Sequence, residues 1–313
     1  MRISSSMFTD NLISQMNQLQ SQQIKLQNQS TTGLKVSLPE DDPATMNQVL
    51  NLQSQASSNT QYQSNITQLQ ATATTTATAM NSLQTITEQA GEIATEASGG
   101  TVSSSQLSTY ATQVGSLIQE ALQAANTKDS NGNYIFAGTN NNQAPFSAAT
   151  DSSDDVTSVT YKGNTDVSDT QIGPGQTASA QVPGENPTGT GPAGLLADSR
   201  SGADLFSHLI SLQQNLLSSN TSAISSTDSP NLTKDENNIV SNIAANGVLQ
   251  STLETANTAA TQLSTNITTQ TSNLTSADLT TTLTELDQTQ TAYQAAMESG
   301  EMIMNLSILD YIK

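Results

Sequence analysis

Apolar residues recur at alternating intervals of three and four residues near both ends of the chain. Near the N-terminus this series is Leu12, Met16, Leu19, Gln23 and Leu26, and near the C-terminus it is Leu283, Leu286, Gln290, Tyr293 and Met297. This spacing is typical of helices that pack along their length. We therefore predict that the two ends form helices that pair with each other and with neighbouring subunits. The residues predicted to make this assembly interface are Leu12, Met16, Leu19, Leu26, Leu283, Leu286, Tyr293 and Met297.

The two ends also differ in charge. Residues 1–35 contain three basic residues and one acidic residue, whereas residues 270–313 contain six acidic residues and one basic residue. Opposite charges favour pairing, although salt screens charges on a protein surface and keeps the gain small. The alternative is that the difference arises by chance in a generally acidic chain.

A long helix is predicted for residues 43–97. Asp42 followed by Pro43 is typical of a helix start, because the aspartate caps the first turn and proline suits the first helical position. Gly99 and Gly100 then end the pattern. The apolar positions that share one seven-residue frame in this segment are Leu52, Ile66, Leu69, Ala73, Met80, Leu83, Ala90, Ala94 and Ala97.

Capping patterns predict three further helix starts. Ser103 with Gln106, and Thr233 with Glu236, have the spacing of a capping box. The last helix, which carries the C-terminal apolar series, is expected to be capped by Ser276.

Residues 139–200 lack helical periodicity. Glycine, proline, aspartate, serine and threonine dominate this segment, and Val159 and Tyr161 alternate with polar residues as in a half-buried strand. Just before it, an Asn-Gly turn in residues 129–133 leads into a short β-type run in residues 134–137. A small β-rich domain is therefore predicted in the middle of the chain.

The predicted fold class is mainly α with a small β insert: a long antiparallel, coiled-coil-like helical rod formed by the N- and C-terminal halves, plus the small β-rich domain. Residues 1–42 with 275–313 are predicted to form a terminal helical assembly domain, which is mobile in the monomer because its apolar residues are too few to offset the entropy of ordering it. The other two predicted parts are a helical rod domain, 43–138 and 201–274, and the β-rich inserted domain, 139–200.

The composition restricts the classes of function that this chain can have. Only 34% of the 313 residues are hydrophobic and 3% are aromatic, which suits long helices packed through small side chains better than an ordinary globular enzyme core. A net charge of −19, with eight Lys and Arg in total, argues against binding to nucleic acid or to an anionic membrane surface. The chain has no cysteine, so cysteine usage says nothing about its redox compartment.

The chain carries no apolar run near the ~20 residues of a membrane span. Residues 1–10 lack the continuous apolar core of a secretory signal. The protein is therefore expected to be either cytoplasmic or exported by a route that does not use such a signal.

No catalytic, cofactor-binding or metal-binding site is predicted, and the chain is not expected to be an enzyme. His208 is the single histidine, so a zinc site of the usual kind cannot form without cysteines. Residues 129–133 form a plain turn rather than a calcium loop, since Gly132 is their fourth residue and an EF-hand needs glycine at the sixth. The glutamates Glu88, Glu92 and Glu96 form a solvated acidic stripe, or alternatively a docking face for a basic neighbour.

Several motifs resemble one protein family. The motifs are Met1-Arg-Ile-Ser with the amphipathic segment to Gly33, Pro39-Glu-Asp-Asp-Pro43, Asn131-Gly-Asn-Tyr-Ile-Phe-Ala-Gly-Thr139 with Ala144-Pro-Phe146, Val159-Thr-Tyr-Lys-Gly163, Gln171-Ile-Gly-Pro-Gly175, Ala277-Asp-Leu279, Tyr293-Gln-Ala-Ala296 and Leu306-Ser-Ile-Leu-Asp-Tyr-Ile312. Together they resemble the family of flagellar hook-associated protein 3, the second hook–filament junction protein, which is related to bacterial flagellin. The stretch from Asn131 to Thr139 is the most specific of them.

The resemblance implies a structural adaptor that joins the hook, through the first junction protein, to the flagellin filament by coiled-coil assembly of its terminal helices. It also implies self-association in a ring or helical layer, an export chaperone, type III export and an extracellular location at the hook–filament junction. No cofactor is implied.

Other classes remain open at this point. Flagellin itself, a filament subunit, shares the paired termini, but flagellins usually end in a glutamine-rich segment with a short basic finish, unlike residues 309–313 here. A coiled-coil binding module or surface adhesin unrelated to flagella would be secreted independently of the flagellar apparatus. An enzyme would reveal itself by catalytic turnover.

Overall fold

The chain is mainly helical, with short strands grouped in its middle. The computed structural model describes residues 2–99, 102–152 and 154–311, and it leaves out the side chains of residues 2–6, 8 and 303–311. Met1, Gly100 and Ile312, which belong to predicted motifs, lie outside the described residues. The predicted fold class, mainly α with a small β insert, is confirmed.

The helices and strands alternate in three blocks along the chain. The helices are α1 (Arg2–Thr32), α2 (Pro43–Ala97), α3 (Ser104–Ala125), α4 (Leu205–Leu217), α5 (Thr221–Ala223), a π-helical turn (Ile224–Asp228), α6 (Ser229–Thr275) and α7 (Leu279–Tyr311). The strands are β1 (Phe146–Thr150), β2 (Val156–Tyr161), β3 (Thr170–Gly173), β4 (Gln176–Ala178), β5 (Glu185–Asn186), β6 (Ala197–Asp198) and β7 (Ala203–Asp204).

The chain folds into two compact units. The terminal unit contains residues 1–58 and 263–313, and the central unit contains residues 59–262. Both boundaries fall inside helices, one in α2 and one in α6. The three-part domain division drawn from the sequence stays a prediction.

Two of the predicted helix starts are confirmed. Asp42 caps α2, since its Oδ1 accepts hydrogen bonds from the backbone N–H groups of Ala44 at 3.0 Å and Thr45 at 3.1 Å. Ser103 and Gln106 form the predicted capping box at the start of α3. These side chains satisfy backbone donors that have no partner within the helix.

Two other predicted caps are wrong. Thr233 lies inside α6, which already begins at Ser229, and its hydroxyl donates to the Ser229 carbonyl at 3.1 Å instead of capping a new helix. Ser276 precedes α7, but Asp278 is the cap, because its Oδ1 accepts from Thr280 N at 3.0 Å. The cap of α7 lies two residues from the predicted one, because neighbouring polar residues compete for the role. Helix α6 has no cap of its own at Ser229, because it continues directly from the π-helical turn.

The middle of the chain forms three small sheets. Strand β1 pairs antiparallel with β2, with Phe146 opposite Tyr161, and β3 pairs antiparallel with β4. Strand β6 lies between β5, which is parallel to it, and β7, which is antiparallel. The predicted strand over Val159 and Tyr161 is confirmed as β2.

The strand predicted for residues 134–137 is wrong. These residues form turns, in which Tyr134 and Ala137 make isolated bridges with Lys128 and Pro183. Phe136 is fully buried, and its carbonyl accepts from Gly184 N at 2.8 Å. The apolar run was a correct sign of burial, but its backbone pairs with several segments in turn rather than with one strand.

The core of the central unit lies where helices α2, α3 and α4 meet the insert. Phe146 and Phe206 have ring centroids 5.4 Å apart, and Tyr161 packs on the other side of Phe146 at 5.0 Å. Every residue predicted on the seven-residue frame of α2 is buried. These layers of Leu, Ile and Met with Ala explain how a chain poor in aromatic residues holds a core.

No helix in the described part of the chain has the length and hydropathy needed to cross a bilayer.

Candidate assembly interface

Helices α1 and α7 pack along each other within the terminal unit, as the matched apolar series predict. Leu12 lies against Gly300, where a β-carbon would come within 2.9 Å of Leu12 Cδ2. Beyond the other end of α1, the Gly33 carbonyl accepts a hydrogen bond from Ala277 N at 2.8 Å. Because early residues of α1 meet late residues of α7, the two helices run antiparallel.

The linkers after α1 and before α7 are joined through their backbones. Gly33 ends α1 with a φ of +70°, a conformation that favours glycine. Leu34 then makes an antiparallel bridge with Ser276, and Lys35 N donates to the Thr275 carbonyl at 2.7 Å. This backbone bridge fixes one end of the α1–α7 pair.

The predicted face of α1 is turned toward its partner. Leu12, Met16 and Leu19 are half-buried, and Leu26 is buried with 5% of its surface exposed. Among the described side chains of α1, Leu26 alone reaches that degree of burial. The helix therefore contributes few fully covered apolar side chains to the monomer.

The face of α7 that α1 covers overlaps only partly with the predicted series. Three of its residues, Thr282, Thr289 and Ala296, each lie one residue before a predicted position. Its buried and half-buried members again alternate by four and three residues, and they are Thr282, Leu286, Thr289, Tyr293, Ala296 and Gly300. Leu286 and Tyr293 belong to the predicted series, so half of the predicted α7 residues lie on this covered face. The small residues on this face are Thr282, Thr289, Ala296 and Gly300, and their size lets α1 approach α7 closely.

The other two predicted α7 residues lie on an uncovered stripe. Leu283 is 49% exposed and Met297 is 51% exposed. They are aligned through Gln290 at seven-residue intervals, and Leu279, which is 47% exposed, lies one turn before them. We call Leu279, Leu283 and Met297 the outer stripe.

Helix α1 also has uncovered apolar residues. Ile13 and Ile24 are both about half exposed, at 52% and 53%. They lie eleven residues apart, about three helical turns, and so project from the same side of α1. Sequence reasoning missed Ile13, Ile24 and Leu279 because they fall outside the strongest periodic series, although being apolar outside that series was itself a usable signal.

The predicted charge attraction between the two ends has no direct ion pair among the described side chains of α1 and α7. Lys25 on α1 instead pairs with Asp41, with Nζ and Oδ1 3.1 Å apart. Asp41 also accepts from the backbone N–H groups of Ser37 and Leu38. These hydrogen bonds, that of Ser37 first, together with Lys25, lower the pKa of Asp41 below its usual range.

The acidic stripe of α2 lies in the central unit. The Glu96 carboxylate accepts a hydrogen bond from the Tyr110 hydroxyl at 2.8 Å, and Glu88 accepts one from Gln84 at 2.8 Å. Among the described residues, no group of three or more acidic or histidine side chains is arranged to hold a metal ion. The stripe is therefore partly used in contacts within the central unit.

Known proteins that are similar to this chain include flagellar hook-associated proteins, and a flagellin family model matches part of it. Residues 3–141 match the family model of the bacterial flagellin N-terminal helical region. Flagellar hook-associated protein 3 of Salmonella typhimurium is 31% identical over 150 residues, which is 48% of this chain and 47% of that relative. The matched stretch thus spans about half the length of this curated relative.

Solved structures share the fold over more of the chain. A flagellar hook-associated protein-3 from Legionella pneumophila superposes with a TM-score of 0.60 and 15% identity, covering 72% of this chain and 98% of that one. FlgL of Bacillus cereus superposes with a TM-score of 0.57 and 15% identity, covering 71% and 99%. The resemblance drawn from the motifs is confirmed: in sequence over about half its length, and in fold over more, the chain is similar to flagellar hook-associated protein 3.

Proposed function

We propose that this chain is a structural adaptor of the bacterial flagellum, which joins the hook, through the first junction protein, to the flagellin filament. The observation that carries the proposal is the outer stripe on α7. A helix that already covers one face by pairing with α1 exposes a second line of large apolar residues along the same length. Leu279, Leu283 and Met297 are each about half exposed there, and a neighbouring subunit that packs on this side of α7 would cover them.

The eight predicted interface residues then divide into two roles. Leu12, Met16, Leu19 and Leu26 on α1, with Leu286 and Tyr293 on α7, hold the α1–α7 pair together. Leu283 and Met297 meet neighbouring subunits, where burying the exposed half of each would contribute about 1 kcal/mol. The terminal helices would thus act as the assembly domain, with the helical rod and the β-rich insert as the other two parts of the chain.

The partners proposed for this chain follow from the similarity to flagellar hook-associated protein 3. They are the first junction protein on the hook side, flagellin on the filament side, and further copies of the chain in a ring or helical layer. Export through the flagellar type III route with a chaperone, and an extracellular position at the junction, belong to the same proposal.

The first test is to label the protein with antibody and gold on isolated flagella. Gold confined to one narrow zone between hook and filament is the expected result. Gold along the whole filament would make the chain a flagellin, which the family match over residues 3–141 keeps as the second candidate. Gold absent from flagella would reject both and favour a surface-binding role.

A second test separates the outer stripe from the rest of α7. Leu283→Asp with Met297→Asp should block incorporation at the junction, because it places two charges on the surface that a neighbour must cover. The matched control is Thr284→Asp with Thr291→Asp, which adds the same charges about 100° around the helix from the outer stripe, on the side opposite the face that α1 covers. Normal incorporation of the stripe variant, or equal loss in both variants, would contradict the assigned role.

A further inference from the structure

Two buried asparagines connect α2 and α6 in the central unit. Asn59 on α2 donates from Nδ2 to the Ala260 carbonyl on α6 at 2.8 Å. Asn246 on α6 donates from Nδ2 to the Ala73 carbonyl on α2 at 2.9 Å. Both asparagines are almost fully buried, with 3% and 5% of their surfaces exposed.

The two contacts repeat one motif on both helices. On α2 the order is Asn59, Ile66 and Ala73, and on α6 it is Asn246, Leu253 and Ala260, with seven-residue steps in each case. Each asparagine bonds to the backbone of the alanine at the end of the other motif. The arrangement is therefore antiparallel and locally two-fold symmetric, with the buried pair Ile66 and Leu253 at its centre.

The surroundings do little to choose a register by apolar packing. Ile66 and Leu253 belong to a small cluster whose buried members are Ile66, Leu69, Ile172, Ala180, Leu253 and Ala260. The flanking segments, residues 71–79 of α2 and 255–262 of α6, consist almost entirely of alanine and threonine. Within these segments a shift of one heptad changes the packing little, so the local pairing is weakly specified without the asparagines. Met80 and Ile239, both fully buried, are the next large residues in the same frame.

The asparagines are better suited to choosing a register than to adding stability. The Oδ1 atom of Asn246 is buried without a hydrogen-bond partner, and an unpaired buried acceptor is unfavourable. The carbonyls they reach lie inside helices, where backbone bonding already satisfies one acceptor position. A slip by seven residues would place Asn59 against Leu253 or Ile267 instead of Ala260, where a large side chain replaces the small one beside the accepting carbonyl.

We propose that Asn59 and Asn246 specify the axial register of α2 against α6, so that the two helices pair in one alignment when the chain folds. The acceptors are backbone atoms, so the selection depends on the small size of Ala73 and Ala260 as much as on the amides. Gln250 adds a weaker contact, with Nε2 3.4 Å from the same Ala73 carbonyl.

The test uses engineered disulfides, for which the chain is well suited because it has no native cysteine. Ile66→Cys with Leu253→Cys reports the native register. Ala73→Cys with Leu253→Cys reports a slip of seven residues in one direction, and Ala73→Cys with Ile239→Cys reports the opposite slip. In the native register the last two pairs are offset by about 10 Å along the helices, beyond the ~7 Å that a disulfide can span between Cα atoms.

Each full-length chain is refolded from denaturant in a glutathione buffer, and cross-linking is measured by non-reducing electrophoresis. With both asparagines present, the native pair should cross-link and the slip pairs should stay at background. With Asn59→Ala and Asn246→Ala, we expect slip-pair cross-linking to rise at least fivefold. The matched control is Asn242→Ala, which also removes a buried amide, but one that donates to Asn238 O of its own helix at 2.9 Å.

Three results would overturn the proposal. Slip pairs that stay at background in the Asn59→Ala, Asn246→Ala chain would mean that other contacts choose the register. If the native pair loses its cross-link in the Asn59→Ala, Asn246→Ala chain and no slip pair gains one, the amides are needed for folding itself and not for choosing between alignments. A rise of the slip pairs in the Asn242→Ala control would equally reject a specific role.

Discussion

The terminal pair α1–α7 and the central unit use apolar residues in opposite ways. In the central unit, Phe136, Phe146 and the apolar frame of α2 from Ile66 to Ala97 are covered by the chain's own residues. In the terminal pair, the covered face is made largely of half-buried or small side chains, while Leu283 and Met297 remain half exposed. The core of the central unit is thus covered within the monomer, whereas the outer stripe of the terminal pair is left for the neighbouring subunit that we propose.

The largest effect should come from a cavity in the central unit. Phe146→Ala removes a ring that is 2% exposed and packs on Tyr161 and Phe206, so it should lower the free energy of unfolding by about 3–5 kcal/mol. Urea unfolding followed by circular dichroism measures the change. Ile24→Ala on α1, where the side chain is half exposed, should change the free energy of unfolding by less than about 0.5 kcal/mol. Equal effects would remove the contrast between the two regions.

A smaller, pH-dependent effect should also be confined to the central unit. Burial, and then the negative charge of Asp204, raise the pKa of Glu185 from its usual 4.5 to about 7. Burial opposes protonation of His208, but its hydrogen bond to Asp235, with Nδ1 and Oδ2 2.7 Å apart, together with the charges of Asp235 and Asp204, raises its pKa above 6.5.

Both raised pKa values act in the same direction. A group whose pKa is higher in the folded state favours folding at low pH and loses that contribution as the pH rises through its folded pKa. The central unit should therefore lose stability between about pH 4.5 and 7 through Glu185, and further above pH 6.5 through His208. Glu185→Gln should remove the first part of the slope in pH-dependent unfolding. His208→Ala combined with Asp235→Asn should remove the second part, because Asp235 would otherwise stay buried as an acid without its partner, and that burial raises its pKa. Unchanged slopes would contradict the assignment.

The smallest expected effect concerns the terminal helices in isolation. We predict that α1 and α7 are largely unformed in the free monomer, because so little of their apolar surface is covered without a neighbour. A variant lacking residues 1–40 and 275–313 should then lose little helical signal by far-UV circular dichroism. A loss in proportion to the length of the two helices would show that they are already folded in the monomer.

The sequence predicted those features that depend on local chemistry or on strong periodicity. The frame from Leu52 to Ala97 is buried throughout, and Asp42 and Ser103 cap their helices as expected. A cap needs one polar side chain near free N–H groups, and a buried face needs only regular spacing, so both are visible without tertiary information.

The rest depended on contacts that spacing does not reveal. Two stripes run side by side on α7. The predicted series combined Leu286 and Tyr293, which lie on the covered stripe, with Leu283 and Met297, which lie on the uncovered one. Periodicity finds apolar lines but does not say which partner covers each. The Asn59 bond to Ala260 joins residues 201 positions apart, and nothing near Asn59 distinguishes it from the other polar residues of α2.

The backbone bridge between Leu34 and Ser276 gives the terminal pair a direction of assembly. Because the linkers are joined there, the C-terminal end of α1 and the N-terminal end of α7 start close together, and closing the first turn between them costs little chain entropy. Each later turn, toward Leu12 and Gly300, adds to a pair that has already begun. Pairing should therefore nucleate at the bridge and propagate outward, so that the start of α1 and the end of α7 are the last parts of the pair to order and the first to separate.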